Sequence, residues 1–218
     1  MTAAARSKST EKKLRALLRE KELLLSEAHH RIKNSLQLVS SLIGMQLRQL
    51  ADEPARDALE ECRMRVLAVA LIHEQLCQSK DSARVPLVEY VGGLTHNIFR
   101  AAASSASRLT LELAIEPISL AVGKAMTCGL LLNELITNAV KHGFPDGRPG
   151  VIRLELSCRD GQVQLVLSDD GVGLAVDLDV ERSSSLGVRL IRTLAQQLEA
   201  TIEFTRERGT AVRVAFAA

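Results

Sequence analysis

The stretch LLSEAHHRIKNSLQLVSSLIGMQLRQL, residues 24–50, predicts a long amphipathic helix. Its apolar residues recur at steps of three, four and seven, which return to one side of a helix with 3.6 residues per turn; this stripe comprises Leu25, Ile32, Leu36, Val39 and Ile43. With Ile32 at the centre and about 100° per residue, His29 lies roughly 60° from the centre and His30 about 160° from it. We therefore expect His29 to border the core and His30 to face water. Arg31 adjoins His30, and Asn34 lies one turn further on.

The charge and aromatic content argue against a nucleic-acid partner. The 218 residues carry a formal net charge of only +2, and lysines and arginines alternate with acidic residues. There is no Trp and a single Tyr, so a surface on which bases stack is not expected.

The cysteines and the hydropathy pattern predict a cytoplasmic protein. Four cysteines are widely spaced without a C-x-x-C pair, which favours inert thiols in a reducing compartment over disulfides or a zinc site; these are Cys62, Cys77, Cys128 and Cys158. No signal peptide opens the chain, and no run of 18 apolar residues lacks charges, so we expect no direct membrane span. An external stimulus would then arrive through a separate sensor protein or domain.

The N-terminal part, residues 1–80, is predicted to be a helical hairpin. Residues 10–27 mix leucines with alternating charges, as a coiled-coil lead-in does. Asp52 can cap a second helix over residues 55–77, with Pro54 in its first turn. One hairpin cannot bury two apolar faces, whereas two hairpins can form a four-helix bundle. We therefore expect a homodimer through residues 10–78.

The remainder, residues 81–218, is predicted to be an α+β layer with helices on one face of a sheet. After a polar connector at 79–86, helices are expected over 87–102, 123–141 and 186–197. Apolar and polar residues alternate in four segments, which predicts strands with one covered face; these are residues 108–115, 150–158, 162–169 and 210–217. Asp160 and Gly161 form a tight-hairpin signal between the second and third strands.

Polar residues interrupt the middle helix of this second part. The segment NELITNAVKH, residues 133–142, places Glu134 and Asn138 four residues apart and therefore on one face. Lys141 and His142 follow within the next turn. Such polar groups are costly in a helix packed on a sheet unless they line a site.

Three glycine-bearing segments follow in order along the chain. DDGVG, residues 169–173, supplies a carboxylate and then glycines that allow close backbone approach. SLG, residues 185–187, opens a helix whose free N–H groups suit phosphate, and Gly209 and Thr210 begin the last strand. Taken singly, D-x-G-x-G is more often a plain turn.

The ordered set of N-E-L-x-x-N-A, D-x-G-x-G, a glycine-bearing helix start and G-T resembles the Bergerat ATP-binding fold of gyrase, Hsp90, MutL and the histidine kinases. No G-x-x-x-x-G-K-[ST] motif of P-loop proteins occurs. The resemblance implies that Asp169 accepts a hydrogen bond from the adenine amino group and that Asn138 binds Mg²⁺. It implies that Glu134 orients a water or assists proton movement.

The same resemblance assigns the other motif residues to the nucleotide. It implies that Lys141 and His142 lie near the phosphates and that Leu186 and Gly187 belong to the lid. It also implies that the base pocket is shaped by Gly171 and Gly173, with the Thr210 hydroxyl near the adenine. The lid segment is short and has three serines, residues 183–185, where a glycine-rich run is more usual.

The segment HHRIKNSLQ, residues 29–37, closely resembles the H-box of the HWE-like branch of sensor histidine kinases. By that match His30 is the phosphoacceptor. It is also the histidine that the helical wheel places on the side that faces water. The chain has no Trp for the W-x-E element, so it resembles the related, second HisKA-type group. Arg31 stands where many sensor kinases have an acid, and we expect it to compensate phosphoryl charge. Asn34 either positions a water that dephosphorylates the regulator or is a plain surface residue.

The resemblance implies a two-component sensor histidine kinase core that uses ATP and Mg²⁺ and passes its phosphoryl group to the receiver domain of a response regulator. The alternative is an ATP-independent phosphotransfer or scaffold protein with a degenerate kinase domain. A third hypothesis, an ATPase clamp of the MutL or Hsp90 kind, leaves the H-box unexplained.

Overall fold

A computed structural model describes residues 3–78, 84–102, 108–173, 186–206 and 209–218. The chain divides into two compact units, Met1–Ser82 and Ala83–Ala218. The first contains only helices among its described residues, and the second is a mixed α/β unit, as the predicted fold class requires. Within the described ranges, no helix is both long and apolar enough to span a bilayer.

The first unit is a hairpin of two helices, α1 (Ala3–Leu47) and α2 (Glu53–Gln78). The predicted cap at Asp52 is confirmed, because its Oδ2 accepts a hydrogen bond of 3.0 Å from the Ala55 N–H. Residues 3–9 form the first turns of α1.

The apolar stripe of α1 is only partly covered by α2. Ser40 is buried, and Leu36 and Ile43 on the same flank are half-buried. By contrast, Ile32 and Val39 remain 40% and 43% exposed within one chain. They belong to an apolar ridge on α1 that we define as Ile32, Leu38, Val39, Leu42 and Met45, all of them exposed. The predicted stripe is therefore divided between a flank that packs on α2 and a flank that faces solvent.

The second unit is built on a five-stranded sheet with the order β2-β4-β5-β7-β6. Its strands are β2 (Leu109–Ile115), β4 (Gly150–Arg159), β5 (Gln162–Asp169), β6 (Thr201–Thr205) and β7 (Thr210–Ala217). β2 and β4 pair in parallel, and the other neighbours are antiparallel. Two three-residue strands, β1 (Arg84–Pro86) and β3 (Ser119–Ala121), pair separately. The helices are α3 (Leu87–Ala102), α4 (Val122–Gly143) and α5 (Leu186–Gln197).

The core lies between the sheet and these helices. Alternate residues of two interior strands are buried, as period-two patterning requires; they are Ile152, Leu154 and Leu156 in β4 and Val163, Leu165 and Leu167 in β5. The intervening residues of β4, including Arg153 and Glu155, are exposed on the opposite face. The predicted hairpin is also confirmed, because Asp160 and Gly161 both have positive φ, at 51° and 77°.

Three strands were not predicted from the sequence. β1 occupies the end of the segment read as a polar connector, while residues 79–83 of that connector lie outside the described residues. β3 has only three residues, too few to show alternation, whereas β6 alternates polar and apolar residues over T-I-E-F-T and was overlooked. The four predicted strands and the three predicted helices of this unit are all present, with ends shifted by at most two residues.

Candidate functional site

The Asp169 side chain forms a buried acceptor at the end of β5. The residue is only 9% exposed, and its Oδ1 accepts hydrogen bonds from the backbone N–H groups of Gly171 at 2.9 Å and Thr210 at 3.3 Å. Burial raises the pKa of Asp169, the two N–H groups oppose that rise, and the nearby Asp170 charge adds to it. The site therefore holds a carboxylate in fixed orientation under partial desolvation.

Glycines allow three chain segments to meet at Asp169. A Cβ on Gly171 would overlap the Gly143 carbonyl oxygen and stand 2.7 Å from Asp169 Oδ1. Gly209, at φ 120°, lies against the Asp169 backbone, where a Cβ would overlap the carbonyl oxygen. Gly173, at φ 77°, would place a Cβ 3.1 Å from the Gly209 carbonyl oxygen. Side chains at these positions would push the segments apart.

The polar residues of α4 differ sharply in burial. Glu134 is 3% exposed, and its Oε1 accepts a hydrogen bond of 3.3 Å from Asn133 Nδ2, while Asn138 one turn later is half-buried. Lys141 and His142 are exposed at the end of the helix. Glu134, Asn138 and His142 thus lie at intervals of four residues on α4, and they are buried, half-buried and exposed, respectively.

The end of α4 is bonded directly to the turn after Asp169. The Val172 N–H donates to the Gly143 carbonyl oxygen at 2.8 Å, and a Cβ on Gly143 would stand 3.3 Å from Asp169 Oδ1. The structure therefore brings together three of the four sequence motifs: the end of the α4 segment, the turn with Gly171 and Gly173, and the G-T pair with Thr210.

In the fourth motif, SLG at residues 185–187, the structure describes Leu186 and Gly187, which begin α5. Leu186 is 55% exposed at the start of α5, Gly187 is half-buried, and α5 packs against α4. The preceding lid segment, residues 174–185, lies outside the described residues, so the expectation drawn from its three serines stays a prediction.

The candidate phosphoacceptor belongs to the first unit. His30 is exposed on α1, as the helical wheel predicted, and Asn34 is exposed one turn later. The Arg31 guanidinium is paired with Glu27, since Nη2 and Nε lie 2.6 and 3.1 Å from Glu27 Oε1. The His29 side chain lies outside the described residues, and its expected place at the edge of the core stays a prediction.

The side chains around Asp169 fit an adenine nucleotide with Mg²⁺. A buried carboxylate beside backbone groups suits a purine amino donor, and the Asn138 carbonyl oxygen is a hard ligand. In the part of the chain that is described, no three His, Cys, Asp or Glu residues gather to form a metal cage. Mg²⁺ usually keeps several waters and is bound in part by substrate phosphates, so it does not require a cage made of protein ligands alone.

Sequence reasoning missed the roles of Gly143 and Gly209. In the sequence, Gly143 looks like an ordinary glycine at a helix end. Its carbonyl contact with Val172 joins residues that are 29 positions apart. Gly209 precedes Thr210 in the G-T motif, and only the structure shows that it packs on Asp169. For Gly209, its position immediately before the motif residue Thr210 was the one signal that the sequence offered.

Comparison with known families agrees with this geometry. A family model described as histidine kinase matches residues 27–102, and one described as histidine kinase-like ATPase domain matches residues 95–216. This chain belongs to the histidine kinase family. Together the two matches cover the H-box segment, residues 29–37, and every motif around Asp169.

Two relatives that match most of this chain are histidine kinases. The chain is 34% identical over 204 residues to the sensor histidine kinase PdtaS of Mycobacterium tuberculosis, covering 91% of this chain and 40% of that protein. It is 30% identical over 197 residues to blue-light-activated histidine kinase 2 of Erythrobacter litoralis, covering 87% of this chain and 56% of that protein. The chain therefore spans only about half, or less, of the length of these two relatives.

Solved structures show the same architecture. The blue-light activated histidine kinase EL346 of Erythrobacter litoralis superposes with a TM-score of 0.69 at 26% identity, covering 88% of this chain and 59% of that chain. The isolated histidine kinase domain of the same protein gives a TM-score of 0.65 and covers 91% of this chain and 94% of that chain.

Proposed function

We propose that this chain is the catalytic core of a two-component sensor histidine kinase, which transfers the γ-phosphoryl group of ATP to His30 and then to an aspartate of a response regulator. The observation that carries the proposal is the buried Asp169 carboxylate, oriented by the Gly171 and Thr210 N–H groups and joined to the end of α4. A degenerate domain that no longer used ATP would have no need to maintain this costly buried acid.

Asp169 is proposed to select adenine. When ionised, its carboxylate can only accept hydrogen bonds, so it pairs with the donating 6-amino group of adenine and repels a base that presents an oxygen there. Gly171 and Gly173 let the base approach the turn, and Thr210 places a hydroxyl beside the carboxylate.

The triphosphate is proposed to extend along α4. Asn138 would hold Mg²⁺, and the bound ion would neutralise charge on the phosphate oxygens. Lys141 and His142, exposed at the end of the helix, add positive charge or hydrogen-bond donors, and Leu186 and Gly187 close over the phosphates. Glu134, buried one turn before Asn138, assists movement of the proton that the acceptor ring releases.

The acceptor is proposed to be a neutral His30 imidazole. A lone pair on one ring nitrogen forms the N–P bond while the bond between the γ-phosphorus and the β,γ-bridging oxygen breaks, and ADP leaves with that electron pair. The second ring nitrogen gives up its proton as the phosphoimidazole becomes neutral. Arg31 is proposed to compensate the phosphoryl charge, for which its guanidinium would exchange its pairing with the Glu27 carboxylate on the same helix.

Transfer onward requires a receiver domain as partner. A carboxylate oxygen of its aspartate attacks the phosphorus, the N–P bond breaks, and the His30 ring takes up a proton again. Asn34 is proposed to lie beside this reaction and to position a water that hydrolyses the acyl phosphate. A second copy of the chain is proposed to cover the apolar ridge, and a separate sensor protein or domain to supply the stimulus.

Incubation with radiolabelled ATP and Mg²⁺ tests the proposal on four proteins: wild type, His30→Gln, His29→Gln and Asn138→Ala. We expect acid-labile, base-stable label on the wild type and on His29→Gln, and none on the other two. Label that persists in His30→Gln would reassign the acceptor. A wild type that binds no ATP in a separate dialysis experiment would favour the scaffold alternative.

A further inference from the structure

The second carboxylate of the D-x-G-x-G turn, that of Asp170, is hydrogen-bonded to β4. The Asp170 N–H donates to the Val151 carbonyl oxygen at 3.2 Å, and Asp170 Oδ1 accepts from the Val151 N–H at 2.7 Å. The last regular pair between β4 and β5 is Ile152 with Asp169. The Asp170 side chain therefore extends the ladder by one residue, since its carboxylate replaces a backbone acceptor after the strand has ended.

Arg148 and Phe144 fix the same turn from the side of α4. Arg148 Nη2 donates to the Asp170 carbonyl oxygen at 3.3 Å, and its guanidinium carbon lies 6.0 Å from the centre of the Phe144 ring. Phe144 directly follows α4 and is 5% exposed. Gly150 leaves room for this arrangement, because a Cβ there would overlap the Phe144 ring and stand 2.7 Å from Asp170 Oδ1.

We propose that Asp170 and Arg148 are positioning residues that fix the Asp169 carboxylate relative to the end of α4 and thereby set the preference for a 6-amino purine. Adjacent residues of an extended chain direct their side chains to opposite sides, so anchoring Asp170 on β4 fixes the direction in which Asp169 points. The inference rests on the proposed nucleotide site and names residues beyond those that contact the nucleotide.

A purely structural role for Asp170 would have a different consequence. Loss of its bonds would then lower the free energy of unfolding and weaken all nucleotides equally. A positioning role acts on the single contact between Asp169 and the amino group, so it changes the ratio of affinities for ATP and for purine riboside triphosphate, the analogue without that group.

The experiment measures Kd for both nucleotides by calorimetry on the full chain. We expect Asp170→Ala to reduce the preference for ATP by roughly 5- to 10-fold, as loss of one well-oriented hydrogen bond would. Asp170→Asn should stay within about twofold of the wild type, because its amide oxygen still accepts from the Val151 N–H. Glu155→Ala, an exposed acid on the outer face of β4, is the matched control and should leave the ratio unchanged.

Arg148 gives a second measurement should Asp170→Ala fail to fold. The residue is exposed, so Arg148→Ala should fold and should lower the preference for ATP in the same direction. An unchanged ratio in Arg148→Ala and, where it folds, in Asp170→Ala, alongside normal ATP binding by the wild type, would overturn the inference and leave the proposed function intact. Failure of the wild type to bind ATP would overturn both.

Discussion

The backbone N–H of Val172 donates a hydrogen bond of 2.8 Å to the carbonyl oxygen of Gly143. Gly143 is the last residue of α4, whose final carbonyl groups lack partners within the helix. The bond thus satisfies a helix end and at the same time ties the helix that bears Asn138 to the turn that follows Asp169.

Replacing Gly171 by alanine should disrupt this junction. The new Cβ would overlap the Gly143 carbonyl oxygen and crowd Asp169 Oδ1, so the turn must move away from α4. We expect ATP affinity to fall by at least about tenfold, and Kd from equilibrium dialysis measures it. Gly92→Ala in α3 is the control, since nothing lies within 4 Å of its Cβ position and alanine favours a helix by roughly 0.5–1 kcal/mol. Equal affinity in the two variants would contradict the close approach.

The raised pKa of Asp169 predicts a pH dependence of nucleotide binding. Burial lifts this pKa above its ordinary value of 3.8, so the carboxylate takes up a proton at a higher pH than an exposed aspartate does. The protonated acid no longer offers a charged acceptor to the adenine amino group, and ATP affinity should therefore fall as the pH is lowered through the raised pKa. Kd measured across this range for the wild type and for Asp169→Asn separates the effect from titration of the phosphates, which both proteins share.

The raised pKa of Asp169 has the opposite effect on the free energy of unfolding, which should increase as the pH is lowered. The folded state binds this proton more readily than the unfolded chain, so the group contributes least stability above its folded pKa. Its contribution should improve as the pH falls from the raised pKa towards 3.8. Denaturant unfolding of the nucleotide-free protein should show this gain in the wild type and not in Asp169→Asn. Identical pH profiles in the two proteins would show that the pKa of Asp169 is not raised.

A charge within the apolar ridge should prevent self-association. Leu42 is 49% exposed and Val39 43% exposed within one chain, and a second copy would bury both. We expect Leu42→Asp to convert a dimer to a monomer, measured as molar mass by light scattering. Gln37→Glu, an exposed polar site on the same helix, should leave the mass unchanged. A wild type that is monomeric at all concentrations would refute the proposed dimer.

Two leucines that are partners in the β2–β4 register should differ in their effect on stability. Leu113 pairs with Leu154, yet Leu113 is 41% exposed on the edge strand, whereas Leu154 is fully buried. We expect Leu154→Ala to lower the free energy of unfolding by about 2–5 kcal/mol, because it leaves a cavity. Leu113→Ala should cost less than about 1 kcal/mol. Chemical denaturation measures both, and equal losses would contradict the difference in burial.

Much of the second unit was predictable because long elements carry repeated signals. Strands β4 and β5 alternate over eight or more residues, and α4 combines an apolar face with Glu134 and Asn138 at i and i+4. The carboxylate at Asp169 could be found because it ends a well-patterned strand and precedes two glycines. The outward position of His30 followed from helical geometry alone.

Features that depend on long-range contacts were not predictable. β1 and β3 each have three residues with one inward side chain, Val85 or Leu120, so no alternation can appear. The division of the α1 stripe depends on where α2 packs, which the period of one helix does not specify. The anchoring of Asp170 on Val151 links residues 19 positions apart.

The parallel pairing of β2 with β4 has a practical consequence for protein engineering. Because the two strands run in the same direction, the chain must travel back between them, and α4 is part of that return path. Extra residues inserted there would displace Asn138 from Asp169. The exposed turn at Asp160 and Gly161 lies at the opposite end of β5 from Asp169. A reporter domain inserted at that turn should therefore leave the site undisturbed.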